Sequence, residues 1–417
     1  MISLWRKMKS VFRDDSDDAI AKRVYLDYAS ATPMNPEVLK AMMPYFAEDF
    51  GNAGAIHQEG ARAKLALHDA RAQVAQILGT KSEGVVFTSG GTESNNLAIV
   101  GVIEKLVADG YSYNKLEIIS TKLEHPATLK TLEALAKKGV NIVYAPVTIE
   151  GHIDMTILPS LLSEKTVLMT LAYINSEVGT ITRCREVRRV LDRYSKKTDS
   201  LRRILFHVDA AQAPLWLPCE LSRLGVDLLS LDAGKFCGPK GCGVLAFLKD
   251  VELSPIIYGG GQERGLRPGT EPLPLVVGTA KALSLAQAGF KDRSARVAPL
   301  RDYFFAELTK HIPQAIINGP TSDARTPNNV HISIPGLDAE YAVVVLDTAG
   351  ISASTKSACS SKGGGASTVV LTMTDDLVRA FSTLRFTFGP EITLSDIDQA
   401  ISVLTKHVAQ NLNIVNS

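Results

Sequence analysis

The segment that decides the fold is Val85–Asn96, with the sequence VVFTSGGTESNN. Its apolar start predicts a buried strand, Gly90 and Gly91 predict a turn, and residues 92–94 open a helix. Free backbone N–H groups and the positive end of the helix dipole meet at such a helix N-terminus, and glycine lets a ligand approach the backbone. Many α/β proteins use the same junction as plain turn chemistry. The segment therefore predicts a phosphate site or, alternatively, an ordinary strand-to-helix turn.

Outward from this junction, short apolar runs alternate with stretches of helical period. This alternation predicts an α/β fold whose large domain holds a mainly parallel seven-stranded sheet. The predicted strands are Gly84–Thr88, Glu117–Ser120, Asn141–Pro146, Val167–Tyr173, Arg203–Val208, Leu228–Leu231 and Gly243–Phe247. The predicted helices include Gln58–Leu78, Ser94–Asp109, Thr128–Lys138 and Arg185–Ser195.

The pattern changes near residue 290, which predicts a second, smaller α+β domain. One amphipathic helix is predicted over Arg293–Lys310, and a last helix over Leu394–Leu412. Between them lie three further short segments, Asn328–Ile334, Ala342–Asp347 and Thr383–Phe388. The expected domains are residues 36–290 for the large one and residues 1–35 with 291–417 for the small one, in which residues 1–23 form an N-terminal extension.

The composition excludes several classes of protein. The chain has 417 residues and is 45% hydrophobic, so it can bury a large core. Lys and Arg number 45 and Asp and Glu 44, which leaves a net charge of +1 and no overall field to attract nucleic acid or anionic lipid. The longest run without a charged residue is twelve residues, shorter than the roughly 20 that cross a bilayer. We therefore expect neither nucleic-acid binding nor a membrane segment.

Cysteine usage indicates the compartment. The five cysteines, at positions 184, 219, 237, 242 and 359, are an odd and scattered set. In a large chain this is typical of a reducing compartment and not of a disulfide framework. The first 23 residues carry basic side chains but no continuous apolar core or small-residue cleavage site, so they do not indicate a secretory signal. We expect a cytoplasmic protein with no metal site.

Two further segments place chemistry at strand ends. Asp209, in HVDAAQ at 207–212, is either a helix N-cap or a functional carboxylate. Lys235, in GKFCGPKG at 234–241, is either a solvated lysine or a functional amine. A phosphate site, a carboxylate and an amine in this order are what a pyridoxal phosphate enzyme requires: a phosphate anchor, a partner for the pyridinium nitrogen and a Schiff-base amine. The combination therefore favours such an enzyme over three unrelated structural features.

With these segments the sequence resembles the cysteine desulfurases of the class-V aminotransferase superfamily, the type that serves iron–sulfur cluster assembly. The resemblance runs from VYLDYASATP at Val24–Pro33 to RFTFGP at Arg385–Pro390. The other landmarks, in order, are FGN at 50–52, TSGGTESNN at 88–96, EHPATL at 124–129, INSEVGT at 174–180, HVDAAQ at 207–212, GKFCGPKG at 234–241, GGGQERGLRPGT at 259–270 and SACSS at 357–361. It implies the fold type I of pyridoxal-phosphate-dependent transferases.

The resemblance implies a set of cofactor-binding residues. Lys235 would form the Schiff base and later move protons at the substrate α-carbon. Gly91 and Thr92 would hold the phosphate, Asp209 would keep the pyridine nitrogen protonated, and Gln212 would contact the ring O3′.

Four other positions match functional residues of the family. His125 would stack on the cofactor ring and take part in proton transfer, although a single His before a Pro is otherwise most often structural. Arg385 would bind the substrate carboxylate, for which its fork geometry is suited, unless it forms an ordinary ion pair between domains. Asn175 would contact the substrate. Thr270 would reach the phosphate in the neighbouring subunit, which implies a homodimer with shared active sites.

Cys359 decides the reaction that the resemblance implies. It lies in SASTKSACSSKGGGAS at Ser352–Ser367, a stretch of small, polar and glycine residues that predicts a mobile loop. A thiolate there would accept sulfur from the cofactor-bound substrate as a persulfide and carry it away. The other four cysteines are interpreted as packing residues.

The sequence also departs from the family pattern. Ser176 stands where a second asparagine is usual, and Asp232 and Gly234 stand where a serine and a histidine usually bind the phosphate. A carboxylate beside a phosphate dianion is repulsive, so Asp232 points away, carries a proton, or leaves the phosphate to other donors. We expect it to point away. Lys356, an insertion before the thiol relative to the family pattern, either lowers the pKa of Cys359 or is a solvated loop lysine.

The implied activity is conversion of L-cysteine to L-alanine with transfer of sulfur to Cys359 as a persulfide, for iron–sulfur cluster or other thio-cofactor synthesis. The implied partners are L-cysteine, a sulfur-acceptor protein such as an iron–sulfur scaffold, and a second copy of the chain, with a tRNA-thiolation relay as the one link to nucleic acid. Two different functions stay open. One is that of a transaminase or lyase acting on another amino acid such as selenocysteine, and the other is that of a catalytically reduced scaffold homologue.

Overall fold

A computed structural model describes residues 23–197, 203–355 and 365–415. The strands are β1 (Val24–Tyr25), β2 (Val85–Thr88), β3 (Glu117–Ser120), β4 (Asn141–Tyr144), β5 (Thr166–Ala172), β6 (Leu205–Asp209), β7 (Leu228–Asp232), β8 (Gly243–Phe247), β9 (Ile316–Ile317), β10 (Asn329–Ser333), β11 (Ile351–Ser352) and β12 (Thr383–Thr387). The helices are α1 (Pro36–Met42), α2 (Pro44–Ala47), α3 (Gln58–Leu78), α4 (Gly91–Ala108), α5 (Pro126–Lys137), α6 (Leu158–Leu161), α7 (Cys184–Lys197), α8 (Leu221–Leu224), α9 (Leu273–Ala288), α10 (Phe290–His311), α11 (Ala339–Thr348), α12 (Thr368–Thr374), α13 (Leu377–Phe381) and α14 (Leu394–Val415).

Among the described residues, seven strands form one sheet in the order β2-β8-β7-β6-β5-β3-β4. Strand β8 is antiparallel to both of its neighbours, and the other pairs are parallel. This confirms the predicted mainly parallel sheet of seven strands. Because β5, β6 and β7 are parallel, their carboxyl ends meet at one edge, which is where open α/β sheets bind ligands.

Helices cover both faces of this sheet. Ile118 packs on one face with side chains of α4 and α5, whereas its neighbour Ile119 packs on the other face in the cluster that holds α3, α7 and α9. Every residue of β2, β3 and β8 is consequently buried. Burial on both faces explains why β2 and β8 are largely continuous apolar runs and do not alternate with polar residues.

Helix α4 begins at Gly91, one residue before the predicted helix opening at residues 92–94 and three before the start of the predicted helical pattern at Ser94. Gly90 has a φ of 153°, a region that side-chain-bearing residues rarely adopt, so the chain turns sharply after β2. A Cβ on Gly243 of β8 would lie 2.5 Å from the carbonyl carbon of Gly90, so the turn packs closely on the neighbouring strand. The glycines therefore bring the N-terminus of α4 to the carboxyl edge of the sheet.

The C-terminal part of the chain builds a second sheet. Within the described residues, β9, β10 and β12 form an antiparallel sheet of three strands, and the Phe304 ring of α10 packs against Phe386 and Phe388. Strand β1 pairs in parallel with β11, so the N-terminal segment joins this part of the molecule. The predicted change of pattern near residue 290 falls at the junction of α9 and α10.

In the part of the chain that the structure describes, no single helix is long and apolar enough to cross a membrane. Helices α9 and α10 are long and apolar enough only when taken together, and they bend by 65° at their junction. Half of the residues of α9, including Val276 and Leu283, are buried inside the protein.

Candidate active site

A pocket of about 130 Å³ lies at the carboxyl edge of β5, β6 and β7, beside the N-terminus of α4. Eight of the predicted site residues line it: Gly91, Thr92, His125, Asn175, Asp209, Gln212, Lys235 and Arg385. Thr270 is exposed and does not line it. Cys359 and Lys356 lie outside the described residues.

Lys235 is placed by a short turn after β7. Strand β7 ends at Asp232, and a 3-10 turn over Ala233–Lys235 lifts the lysine out of the sheet. Its Nζ donates to the carbonyl oxygens of Ala29 and Ser30, at 2.8 and 2.5 Å. The amine is therefore held in the pocket by two backbone acceptors from the N-terminal segment.

Asp209 ends β6 and faces the same pocket. Its Oδ1 accepts from the Ala211 N–H at 3.0 Å, which gives it a turn-capping role, and its Oδ2 accepts from the Asn95 side-chain amide at 2.6 Å. No helix begins at Asp209, so the carboxylate caps a turn and not a helix, and its position in the pocket wall leaves the functional interpretation as a prediction. Asn95 lies in TSGGTESNN at 88–96, and no role was predicted for it. The sequence feature that could have identified Asn95 is its position one helical turn after Gly91, which places both residues on the same face of α4.

His125 is the N-cap of α5. Its Nδ1 accepts from the Ala127 N–H at 3.1 Å, which places the proton of the neutral ring on Nε2. Burial lowers the pKa of His125, and the nearby Lys235 lowers it further, whereas Asp209 opposes the shift. The ring is therefore neutral at pH 7. Its acceptor Nδ1 caps α5, and its donor, the Nε2 N–H, is available to a ligand.

Arg385 lies on β12 and is only 1% exposed. Its Nη2 donates to Asp27 Oδ1 and Ser30 Oγ, both at 2.9 Å, and its Nη1 donates to the Ser176 carbonyl oxygen at 3.0 Å. The buried Nε has no hydrogen-bond partner among the described residues. Arg385 thus forms an ion pair, but with Asp27 of the same predicted domain and not between domains, and it also borders the pocket.

The amide side chains of Asn175 and Gln212 hold the pocket wall. Asn175 Oδ1 accepts from the N–H groups of Glu177 and Val178, at 2.9 and 3.0 Å, and its Nδ2 donates to the Leu123 carbonyl oxygen at 2.9 Å. Gln212 Nε2 donates to the Ala29 carbonyl oxygen at 3.0 Å. Asn175 therefore fixes the loop after β5, while its role toward a substrate stays a prediction.

Asp232 corrects one expectation. We expected its side chain to point away from the phosphate position, and this is wrong. Its Oδ2 accepts from the Gly91 N–H at 3.1 Å, and its Oδ1 accepts from the Gly234 N–H at 2.9 Å. The first N–H of a helix lacks an intrahelical partner, and Gly90 has no side chain to supply one, so the carboxylate takes this place.

Comparison with known proteins identifies the family. Residues 24–400 match the model of the class-V aminotransferases. The chain belongs to this family. It is 39% identical over 385 residues to the cysteine desulfurase IscS of Dictyoglomus turgidum, with 92% of this chain and 94% of that protein covered. It is 34% identical to the mitosomal cysteine desulfurase of Trachipleistophora hominis, with 97% and 91% covered.

Solved structures agree with this assignment. A NifS-like protein superposes with a TM-score of 0.83 at 32% identity, over 93% of this chain and 99% of the other. DndA from Streptomyces lividans superposes with a TM-score of 0.71 at 31% identity, over 86% and 98%. The fold type I of pyridoxal-phosphate-dependent transferases is therefore confirmed. Within the class-V aminotransferases, the chain is a member of the cysteine desulfurases.

Members of this family depend on pyridoxal phosphate, and most of the pocket fits that cofactor. The Lys235 amine and the Asp209 carboxylate face one cavity, as a ring with an aldehyde and a basic nitrogen requires. The unpartnered Nε of the buried Arg385 suits an acidic ligand. The phosphate end is the exception, because a carboxylate already accepts from the Gly91 N–H.

Glu124 is a buried acid that the sequence analysis quoted only as part of EHPATL. It is 6% exposed, and its Oε1 accepts from the Thr121 hydroxyl at 2.7 Å. Burial, with a smaller contribution from Asp209, raises the pKa of Glu124 to about 8. The folded protein therefore keeps a proton on this carboxyl at neutral pH, one residue from His125.

We expect Glu124→Gln to become more stable relative to the wild type as pH rises. A carboxyl whose pKa is raised on folding loses its proton on unfolding, so wild-type stability falls between the ordinary value of 4.5 and the folded value of about 8. The slope is at most about 1.4 kcal/mol per pH unit, and glutamine removes it. Urea unfolding of both proteins at pH 5 and pH 8 measures the change. The exposed Glu133→Gln is the control, and parallel pH profiles for all three proteins would refute the raised pKa.

Proposed function

We propose that this chain is a pyridoxal-phosphate-dependent cysteine desulfurase that converts L-cysteine to L-alanine and passes the sulfur to Cys359. The observation that carries the proposal is the convergence of the Lys235 amine, the Asp209 carboxylate and the Arg385 guanidinium on one pocket. Amine and carboxylate suit the cofactor, and a buried guanidinium suits the carboxylate of an amino acid. The family assignment supports the same activity.

In this proposal each side chain has one task. The cofactor, when bound, supplies an electron sink for charge at the substrate α-carbon. Lys235 holds the cofactor and moves protons at that carbon, Arg385 orients the substrate carboxylate, and neutral His125 takes part in proton transfer. The C–S bond of L-cysteine breaks and an S–S bond to Cys359 forms, so that one L-cysteine and one thiol give one L-alanine and one persulfide. The sulfur then serves an acceptor protein in iron–sulfur cluster or other thio-cofactor synthesis.

The deciding experiment measures alanine released from L-cysteine by the purified full-length protein, with pyridoxal phosphate and an acceptor thiol but no keto acid. The proposal predicts alanine and persulfide in equal amounts. Alanine that forms only when a keto acid is added would indicate a transaminase. Alanine formation from selenocysteine alone would indicate a lyase for that substrate. A protein that binds no cofactor under any condition would indicate a scaffold. Among the alternatives, the Asp232–Gly91 contact favours the scaffold, because a carboxylate at the phosphate end opposes cofactor binding.

The proposal places the enzyme in a reducing compartment, the cytoplasm. The four cysteines within the described ranges, Cys184, Cys219, Cys237 and Cys242, are free thiols. Desulfurase chemistry itself requires a free thiol at the acceptor position.

We further propose that the active unit is a homodimer. Six large apolar side chains between residues 39 and 65 are exposed by 48% to 103%, an unusual density for a free surface. They are Leu39, Met43, Phe46, Phe50, Ile56 and Leu65. The exposed Thr270 lies in GLRPGT at 265–270, the segment that the family resemblance assigns to the shared site, and the 87% exposed Tyr258 lies shortly before this segment. A second copy of the chain suits this surface.

We expect the double variant Phe46→Asp, Ile56→Asp to be monomeric and to hold pyridoxal phosphate less tightly. Two charges buried in an apolar interface cost several kcal/mol, enough to separate a dimer at micromolar concentration. Light scattering gives the molar mass, and absorbance titration gives the affinity. The control is Val344→Asp on α11, a residue with similar exposure of 54%. A wild type that is monomeric at assay concentration and fully active would contradict the homodimer.

A further inference from the structure

The carboxylate of Asp232 lies at the N-terminus of α4, where the proposed function requires the cofactor phosphate. Helix α4 begins at Gly91, and its N-cap residue Gly90 has no side chain to cap it. The acid of its first turn, Glu93, accepts instead from the Ser89 N–H at 2.6 Å and pairs with Arg267. The cap instead comes from the end of β7, 141 residues away, through the bond between the Gly91 N–H and Asp232 Oδ2. An anion at a helix N-terminus is stabilised by the helix dipole, so the carboxylate gains what a phosphate would gain.

Two glycines make room for this carboxylate. A Cβ on Gly91 would lie 3.3 Å from the Asp232 Cβ, and a Cβ on Gly234 would lie 3.2 Å from its Oδ1. Both contacts are tighter than ordinary van der Waals distance. Gly234 also donates its N–H to Asp232 Oδ1 at 2.9 Å. The two departures from the family pattern, Asp232 and Gly234, therefore act together: the small residue at 234 accommodates and orients the acid at 232.

No lysine or arginine side chain forms an ion pair with Asp232 in the part of the chain that the structure describes. The two lysines that follow β7, Lys235 and Lys240, donate to other acceptors. Lys235 Nζ donates to the carbonyl oxygens of Ala29 and Ser30, and Lys240 Nζ donates to that of Thr32 at 3.0 Å. The negative charge at the helix N-terminus is thus held by backbone dipoles, and a second anion placed beside it is repelled.

We propose that Asp232 is a resident competitor of the cofactor phosphate. Binding of pyridoxal phosphate displaces the carboxylate from the Gly91 N–H, whereas binding of the unphosphorylated aldehyde, pyridoxal, leaves it in place. Asp232 therefore lowers the preference of this chain for the phosphorylated cofactor and makes cofactor exchange easier. This inference rests on the proposed function, since it presupposes an aldehyde bound at Lys235.

The test compares two aldehydes on cofactor-free, full-length protein. Affinities for pyridoxal phosphate and for pyridoxal are measured by absorbance titration on wild type, Asp232→Ser and Asp232→Asn. Asparagine keeps an oxygen for the backbone N–H groups and removes only the charge. Both variants are expected to bind pyridoxal phosphate about tenfold tighter. The repulsion between two like charges about 4 Å apart in a partly solvated site weakens binding by that factor or more, and both variants remove it. Their affinity for pyridoxal is expected to stay within about twofold.

The control is Asp109→Asn, which removes one negative charge just beyond the far end of α4. It is expected to leave both affinities unchanged. A second readout needs no aldehyde: inorganic phosphate is expected to raise the melting temperature of the cofactor-free variants more than that of the wild type.

Unchanged or weaker binding of pyridoxal phosphate in both variants would overturn the inference, and so would an equal gain for the two aldehydes. If neither aldehyde forms an adduct with Lys235 in any of the proteins, the proposed function itself fails. If only the inference fails, the wild type still binds both aldehydes. The ratio of the affinity for pyridoxal phosphate to that for pyridoxal is then the same in the variants as in the wild type.

Discussion

Replacing Lys235 by alanine is expected to abolish covalent retention of pyridoxal phosphate and to lower alanine formation from L-cysteine by about a thousandfold or more. The expectation rests on the position of the amine, which projects into the pocket from the turn after β7 and faces the same cavity as Asp209. No other lysine lines that cavity among the described residues. Borohydride reduction followed by peptide mapping is expected to place the pyridoxyl group on Lys235.

Lys240→Ala is the matched control for this prediction. Lys240 lies five residues further along, and its Nζ is bonded to the Thr32 carbonyl oxygen at 3.0 Å. This variant is expected to keep the label and most of the activity. A label on Lys240, or no label in cofactor-saturated wild type, would show that the assignment of Lys235 is wrong.

The second large effect is expected at Arg385. Arg385→Ala leaves Asp27 without its ion-pair partner in a largely buried setting, which is expected to cost about 3 kcal/mol of unfolding free energy. It also removes the guanidinium expected to bind the substrate carboxylate, so KM for L-cysteine is expected to rise at least about tenfold. Denaturant unfolding and steady-state kinetics measure the two effects separately.

Asp27→Asn separates the two roles of Arg385. It removes the same ion pair but keeps the guanidinium, so it is expected to lose stability while KM changes by less than about threefold. If Asp27→Asn and Arg385→Ala raise KM equally, Arg385 acts through the ion pair and not on the substrate. If neither variant changes KM, the predicted carboxylate site lies elsewhere.

The strands and helices were predictable where local chemistry decides them. Strands β3 and β8 and helix α3 have the predicted bounds. Helix α3 ends where Gly79 adopts a φ of 69°, a left-handed cap that a glycine after the last apolar residue indicates. Continuous apolar runs bounded by polar residues predicted the strands, because these strands are buried on both faces.

The start of α4 was less predictable. Apolar periodicity begins only at Leu97, so the pattern alone does not locate the start, and the glycine turn placed it only within residues 92–94. The backbone angles of the glycines decide this, and glycine permits many angles.

The contacts that shape the site were not predictable, because they join residues far apart in the chain. Asn95 reaches Asp209 across 114 residues, and Asp232 reaches Gly91 across 141 residues. Sequence reasoning found the pocket residues individually through motifs, but it could not decide the orientation of Asp232. Repulsion from a phosphate argued that the side chain points away, whereas the unpaired N–H of Gly91 attracts it. The raised pKa of Glu124 likewise depends on burial that no motif shows.

The central claim is that sulfur from L-cysteine passes to Cys359. It is tested most directly by incubating the full-length, cofactor-loaded protein with L-cysteine in the absence of reductant, and then analysing its cysteine peptides by mass spectrometry together with the alanine released. The account predicts one added sulfur atom on the Cys359 peptide, in an amount equal to the alanine, and an unmodified Cys237 peptide, since burial raises the pKa of that thiol. It predicts neither persulfide nor sustained turnover for Cys359→Ser. Alanine released without sulfur on Cys359, or sulfur found instead on Cys237, would contradict it.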